Sequence, residues 1–442
     1  MNTAPRYIAV KENIPRSVRD HAILNLTTSS VTASTHGFHK YPAKFIPHIP
    51  RWAIQKYLTD TKPQLVVDPF AGSGTTLVEA LLARHNAIGI DIDPLSCLIS
   101  KVKTTPVDSS TLNEITLWLI QSLTKRKHGR FVPDCQTLEH WFTQDAINKL
   151  SLIRTLLDEI PIRFGNARRV QDVQDLLYVC FSSIIRRVSN ADNESQKTYV
   201  SHTNAKIPEE TFGLFLTQLD LFMKRIIEFS KSIDPRVRCQ IFHTSSNDNL
   251  ARQLAKAHPD LVVTSPPYIK AIDYIYNQMV ELFWIGDLFG MQTQELQNTK
   301  KIRYIGTKHL AKKFYDAYSP FTSPVDLRAL DKKLEQIYST DLKNGHKHAY
   351  VTYRYFSEME KHFFEMAQCL RPQTHYILVV GDSSVSNVHF ETGDLLANLA
   401  RRNGFNLVSK WGYKIKNRYM RFDRKGRGGT IEIDWVLDLV RV

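Results

Sequence analysis

The sequence predicts an α/β protein built on a mostly parallel sheet and split by a block of helices. Three observations carry this. LVVDPF (65–70) is an apolar run ending at a Gly-rich turn, followed by TTLVEALLAR at helical spacing and by NAIGIDID, a second strand ending in acids; together they form one βαβ unit. The same alternation returns near residue 239, with RCQIFHTSS, NLARQLAKAH and DLVVTSPPY. Between them, long helical patterns such as LEHWFTQDAINKLSLIRTLLDEI and VQDLLYVCFSSIIRRV hold little Gly and no strand alternation.

In chain order, residues 1–34 are polar and end in TTSSVTAST, so they read as an arm. Residues 35–107 read as the first part of the α/β core, 108–238 as a helical insertion, and 239–286 as the return to the core. Residues 287–343 read as a basic loop region, and 344–442 as the closing part of the core. In that last part EMEKHFFEMAQCLRP and GDLLANLARRNGF are helices, with Gly404 as C-cap. THYILVVGDS and GTIEIDWVLDLVRV are strands.

The chain has 442 residues, a prior of two or three domains at roughly 150 each. It can bury a sizeable core without a disulfide or metal staple. Its 58 Lys and Arg against 44 Asp and Glu give a net charge of +14, which suits a polyanionic partner, nucleic acid before an acidic membrane surface. No apolar run approaches the roughly 20 residues of a membrane helix. The first twenty residues lack the apolar stretch of a signal peptide. Five scattered cysteines with no CxxC pair point to neither a disulfide framework nor a zinc site. A reducing cytoplasmic compartment is expected.

Two loops carry chemistry. In Asp68-Pro69-Phe70-Ala71-Gly72-Ser73-Gly74-Thr75, glycines between strand and helix let the backbone approach a ligand. No Lys follows Gly74, so a nucleotide P-loop is disfavoured. Asp91, ending the next strand, suits the ribose hydroxyls of a nucleoside cofactor. In Ser265-Pro266-Pro267-Tyr268 two prolines stiffen the turn and leave carbonyls free to accept hydrogen bonds. With a hydroxyl and an aromatic beside them, this suits a flat ring bearing an amino group.

Together the loops resemble the DNA amino-methyltransferases that use S-adenosylmethionine. The likeness also takes in HGFHKYPAKFIP before the Gly loop, IKAIDYIYNQMVELFWIG after the Pro loop, and the closing strand hairpin. It implies a Rossmann-like class I methyltransferase core with a seven-stranded, mostly parallel sheet. Carried over by position, Asp68, Phe70, Ala71, Gly72, Ser73, Gly74 and Thr75 line the cofactor, Asp91 takes its ribose, and Asn247 or Asp248 approaches its adenine. His39, Lys40, Pro42, Lys44 and Phe45 close over its methionine end, where Lys44 favours the carboxylate. Ser265, Pro266, Pro267 and Tyr268 hold a base flipped out of duplex DNA. The Ser form of the loop is commonest among cytosine-N4 enzymes, with adenine-N6 as the alternative. An RNA or protein amino-methyltransferase and a non-catalytic nucleic-acid-binding relative are less favoured. A cognate restriction endonuclease is a possible partner.

Pro133-Asp134-Cys135-Gln136 loosely resembles the nucleophile loop of carbon-5 cytosine methylases, but Asp134 interrupts it and Cys135 is expected to be unreactive. Lys300, Lys301, Arg303, Lys308, Lys312 and Lys313, interleaved with Tyr304, Phe314 and Tyr315, are expected to contact DNA. A second basic cluster runs from Lys414 to Arg427, and Arg186-Arg187 suits a helix C-terminus.

Overall fold

The computed structural model describes residues 7–442 except 29–30, 43, 60–61, 194–197, 202, 204, 249, 251–253, 255, 270–272, 309, 323–324 and 417–430. Most of the 414–427 basic cluster therefore lies outside the described residues. Strands are β1 (Tyr7–Lys11), β2 (Ile23–Thr27), β3 (Leu65–Asp68), β4 (Asn86–Asp91), β5 (Cys239–His243), β6 (Leu261–Thr264), β7 (His375–Gly381), β8 (Ser383–Val385), β9 (Val388–Phe390), β10 (Phe405–Lys414) and β11 (Ile433–Arg441). β8 and β9 form a small hairpin, and the other nine make one sheet in the order β1-β2-β10-β11-β7-β6-β3-β4-β5. Only β11 runs antiparallel to its neighbours in that sheet.

The sheet is covered on both faces, as parallel strands require. Alternation assigns the faces. Val66, Leu261, Val263, Ile377 and Val379 share a core with Ile49, Trp52 and Ile54 of α1 (His48–Tyr57). Val67, Val262, Leu378 and Val380 point the other way, onto Met359, Phe363 and Met366 of the helix Gly345–Cys369. The LVV runs of β3 and β6 are continuous rather than alternating because both faces are buried.

The seven strands from β10 to β5 are the Rossmann-like set expected. The stretch read as an arm supplies two more: β1 pairs parallel with β2, and β2 pairs with β10 through Ile23–Gly412 and Leu24–Tyr413. β1 (YIAVK) buries only Val10 among five residues, because an edge strand has one neighbour; its apolar residues are outweighed in the sequence by the polar TTSSVTAST that ends the stretch. The 287–343 stretch is likewise not simply loop. It contains the helices Gln294–Lys301, Lys312–Asp316 and Arg328–Thr340, the last burying Leu330, Leu334 and Ile337 along one stripe.

After β3 comes α2 (Thr75–Leu82), and after β4 comes α3 (Pro94–Thr104). The helical stretch has four long members: Ser109–Lys125, Gln144–Phe164, Arg168–Val188 and Thr211–Ser232. Its apolar core is continuous with Val78 and Leu81 of α2 and with Val280, Phe283 and Trp284 downstream of the Pro loop. Buried Arg154 locks this junction: its guanidinium donates to both Asp287 carboxylate oxygens (2.9 and 2.8 Å) and to the Trp284 carbonyl (2.6 Å). Arg186 likewise donates to the carbonyls of Asp192 and Asn277. A buried guanidinium is tolerated only when its donors are met, so Arg154 helps fix the segment that follows the Pro loop, and half-buried Arg186 adds a hydrogen bond to it at Asn277.

Candidate active site

The strands deliver their loops to one edge. β3 ends at Asp68, whose Oδ1 accepts from the Phe70 amide (3.1 Å) and from Thr264 Oγ1 at the end of β6 (2.6 Å). The last residues of two adjacent strands are thus tied together directly under the two loops. Burial pushes Asp68 up to about 6, against the opposing pull of the Thr264 hydrogen bond.

The Gly loop is held from several sides. Gly72 and Gly74 have φ of +48° and +76°, where a side chain is strained. A Cβ on Gly74 would also stand 3.2 Å from the Ser100 Cα. The Gly72 amide donates to Asp91 Oδ2 (2.7 Å) and the Asp93 amide to Asp91 Oδ1 (2.8 Å). From behind, Ser100 Oγ donates to the Gly72 carbonyl (2.7 Å) and the buried Lys103 ammonium to the Ser73 carbonyl (2.8 Å). Burial, reinforced by the neighbouring Asp93, pushes Asp91 up to about 7, and burial raises Asp93 as well.

Above these loops lies a cleft into which residues of both open. Lys44, Phe70, Ala71, Gly72, Ser73, Thr75, Asp91, Ser265 and Pro267, all singled out from the sequence, line it. Both loops therefore open into one cavity. Asp68, Gly74, Pro266 and Tyr268 do not line it. Asp68 works beneath the loops, and Gly74 turns the chain into α2. The Tyr268 hydroxyl is engaged by Asp434. Asp248 is also not a lining residue: it pairs with Arg303 at 3.1 Å, and Ser245 and Ser246 line the wall instead. The Lys44 ammonium donates to the His36 carbonyl (3.0 Å), and burial lowers its pKa.

Sequence reasoning missed part of the wall. Tyr41 and Tyr274 stack at 5.6 Å, and Tyr41 shares a 2.8 Å hydrogen bond with Ser96. Asp93 caps α3 by accepting from the Ser96 amide, and the Tyr304 hydroxyl donates to it at 3.2 Å. An Asp directly before Pro94 is a helix-start signal that could have flagged it. Arg303, Tyr304 and Ile305 complete the outer side. The expected DNA-contact cluster therefore divides. Arg303 faces the cleft, and Lys301 is buried against Asp273 at 3.5 Å with 11% of its side chain exposed. Lys300 and Lys308 are exposed, Lys313 lies near the Phe314 ring, and Lys312 is 79% exposed. Cys135 is not a cleft residue.

Residues 13–102, which carry the Gly loop, match the N6/N4 family of DNA methylases. The type II methyltransferase M.MvaI of Kocuria varians is 25% identical over 92% of this chain and 90% of its own length. These matches support a place for the chain near the N6/N4 DNA amino-methyltransferases, to which it is similar. The type II methyltransferase M.MjaII of Methanocaldococcus jannaschii is 38% identical over 28% of this chain and 25% of its own. M.BsoBI of Geobacillus stearothermophilus is 24% identical over 64% and 59%.

The methyl donor of such a DNA methyltransferase is S-adenosylmethionine, and the cleft fits it. Ser73 Oγ and Ser246 Oγ are buried on the cleft lining with no hydrogen-bond partner among the described residues, and two carboxylates and an ammonium face the same space. Buried polar atoms are ordinarily paired, so these hydroxyls suit a polar, nucleoside-bearing ligand. Among the described residues no helix is long and apolar enough to cross a membrane.

Proposed function

We propose that this methyltransferase modifies the N4 amino group of a cytosine flipped out of a specific duplex sequence, in a restriction-modification or solitary modification role. The observation that supports the base assignment is Ser265 at the head of the Pro loop, opening into the same cleft as the Gly loop.

An exocyclic amino group is a poor nucleophile because its lone pair is delocalised into the ring. In this reading Ser265 Oγ and the Pro266 carbonyl accept its two N–H groups and favour a tetrahedral nitrogen. The donor, when bound, supplies an electrophilic sulfonium methyl. Asp91 accepts from its ribose hydroxyls, Lys44 favours its carboxylate, and Ser246 and Phe70 border its base. The Thr264–Asp68 hydrogen bond fixes the spacing of the two loops, so acceleration comes mainly from positioning, with no covalent enzyme intermediate. Tyr268 offers its ring to the flipped base. Lys300, Lys308, Lys312 and Lys313 approach the phosphates.

Nucleoside analysis of duplex DNA treated with the protein and labelled donor tests this. Label in N4-methylcytosine is expected. Label in N6-methyladenine overturns the base assignment, and no label in any DNA overturns the function. Nuclease-protection assays on DNA from expressing cells test the restriction-modification role.

A further inference from the structure

Besides a hydrogen bond with Ser265 of its own loop, Tyr268 is fixed at three points outside both motif loops. Its hydroxyl donates to Asp434 Oδ1 at 2.7 Å, while the Tyr413 hydroxyl donates to Asp434 Oδ2 at 2.9 Å. Its ring edge passes over Gly381, where an added Cβ would stand 3.4 Å from Tyr268 Cε2. Its carbonyl is overlaid by Gly306, where an added Cβ would stand 3.0 Å away. Asp434 sits opposite both Tyr413 and Gly381 in the sheet register. It is 8% exposed, and among the described residues no cationic side chain pairs with it. Burying a carboxylate without a cation is costly, and two neutral hydroxyls are a modest return if stability were the whole purpose.

We propose that Asp434 and Tyr413 are positioning residues that hold the Tyr268 ring in the orientation that receives the flipped base. This rests on the base-pocket reading above. A tyrosine tethered by its hydroxyl has the direction of its ring set. Its side-chain freedom is already spent before DNA arrives, so the base meets a fixed surface rather than one it must order. The sheet edge at β7, β10 and β11 thereby takes part in capturing the target, although the motifs lie on β3 and β6.

The test uses the full-length protein and a duplex carrying a fluorescent base at the methylated position, mapped beforehand in DNA from expressing cells. Tyr268→Phe keeps the ring and removes the tether. It is expected to lower kcat about tenfold and to weaken the fluorescence change on duplex binding, with donor affinity unchanged. Asp434→Asn and Tyr413→Phe should give smaller losses of the same kind. Tyr268→Phe with Asp434→Asn should lose less than the sum of the two single losses, since both variants disturb the Tyr268–Asp434 contact. Wild-type kcat and fluorescence in Tyr268→Phe, alongside a loss in Tyr268→Ala, overturn the tether alone. Wild-type behaviour in Tyr268→Ala overturns the base-pocket reading itself. Full additivity of the pair also overturns the tether, because it assigns Asp434 a separate, merely structural effect.

Discussion

The inner and outer walls of the cleft are built by different means. The inner wall is backbone: Gly72, Ser73, Ser265 and Pro267 sit on loops at the ends of β3 and β6, clamped by Asp68, Asp91, Ser100 and Lys103. The outer wall is side chain: Tyr41, Tyr274, Arg303 and Tyr304 arrive from three separate stretches and are held largely through single hydrogen bonds or ring contacts. Such a division teaches where rigidity is placed. Atoms that must meet within tenths of an ångström are on the sheet edge, and groups that must let ligands in and out are on the removable side.

Changes to the inner wall should therefore cost most. Replacing Ser265, Pro266, Pro267 and Tyr268 with alanines should cut transfer by more than about a thousandfold in a labelled-donor assay. Donor affinity, read by calorimetry, should change only a few-fold; retained transfer would break the distinction. Next comes Asp91→Ala, expected to weaken donor binding roughly 10- to 100-fold, the loss of about 1.5–3 kcal/mol for hydrogen bonds to a charged group. The same carboxylate sets a pH dependence. Ribose hydroxyls donate to the ionised form, and burial holds Asp91 up to about 7. Donor affinity should rise as pH climbs through 7 and level off above it, and Asp91→Asn should flatten the curve.

Outer-wall changes should be milder. Tyr304→Phe removes only the hydroxyl on Asp93 and should weaken donor binding by about 0.5–1.5 kcal/mol, leaving duplex affinity in a filter-binding assay intact. A loss as large as that of Asp91→Ala would show that donor binding depends on the outer wall no less than on the inner. Smallest, and sharpest in kind, is the basic segment. Lys312→Ala with Lys313→Ala should reduce the slope of log affinity against log salt by about 1.8. Lys301→Ala should leave the slope unchanged and lower the Tm instead, because that ammonium is spent on Asp273 inside the protein.

The same contrast explains what could be read from the sequence. The Gly loop, the Pro loop and Asp91 are legible because each writes a backbone requirement into consecutive residues: positive φ, a rigid turn, a strand ending in an acid. Tyr41, Tyr274 and Tyr304 carry no such mark, since an isolated tyrosine looks alike whether it walls a cleft or fills a core. Lys301 and Lys312 belong to one charge run, yet one is buried and the other solvated, a difference that only the turn between them decides. β1 and β2 were hidden for a further reason. β2 joins the sheet through β10, which lies almost four hundred residues downstream, and no local pattern announces a pairing at that distance.

That long-range pairing gives the sheet an order in time. β11 stands between β10 and β7, so β1, β2 and β10 touch the rest of the sheet only through it. As the chain leaves the ribosome, β1 and β2 can be joined to the rest of the sheet only after both β10 and β11 have been made. Asp434, which arrives on β11, joins Tyr268 only then. The two motif loops can take shape before β11 is made, whereas the surface proposed to receive the base waits for it.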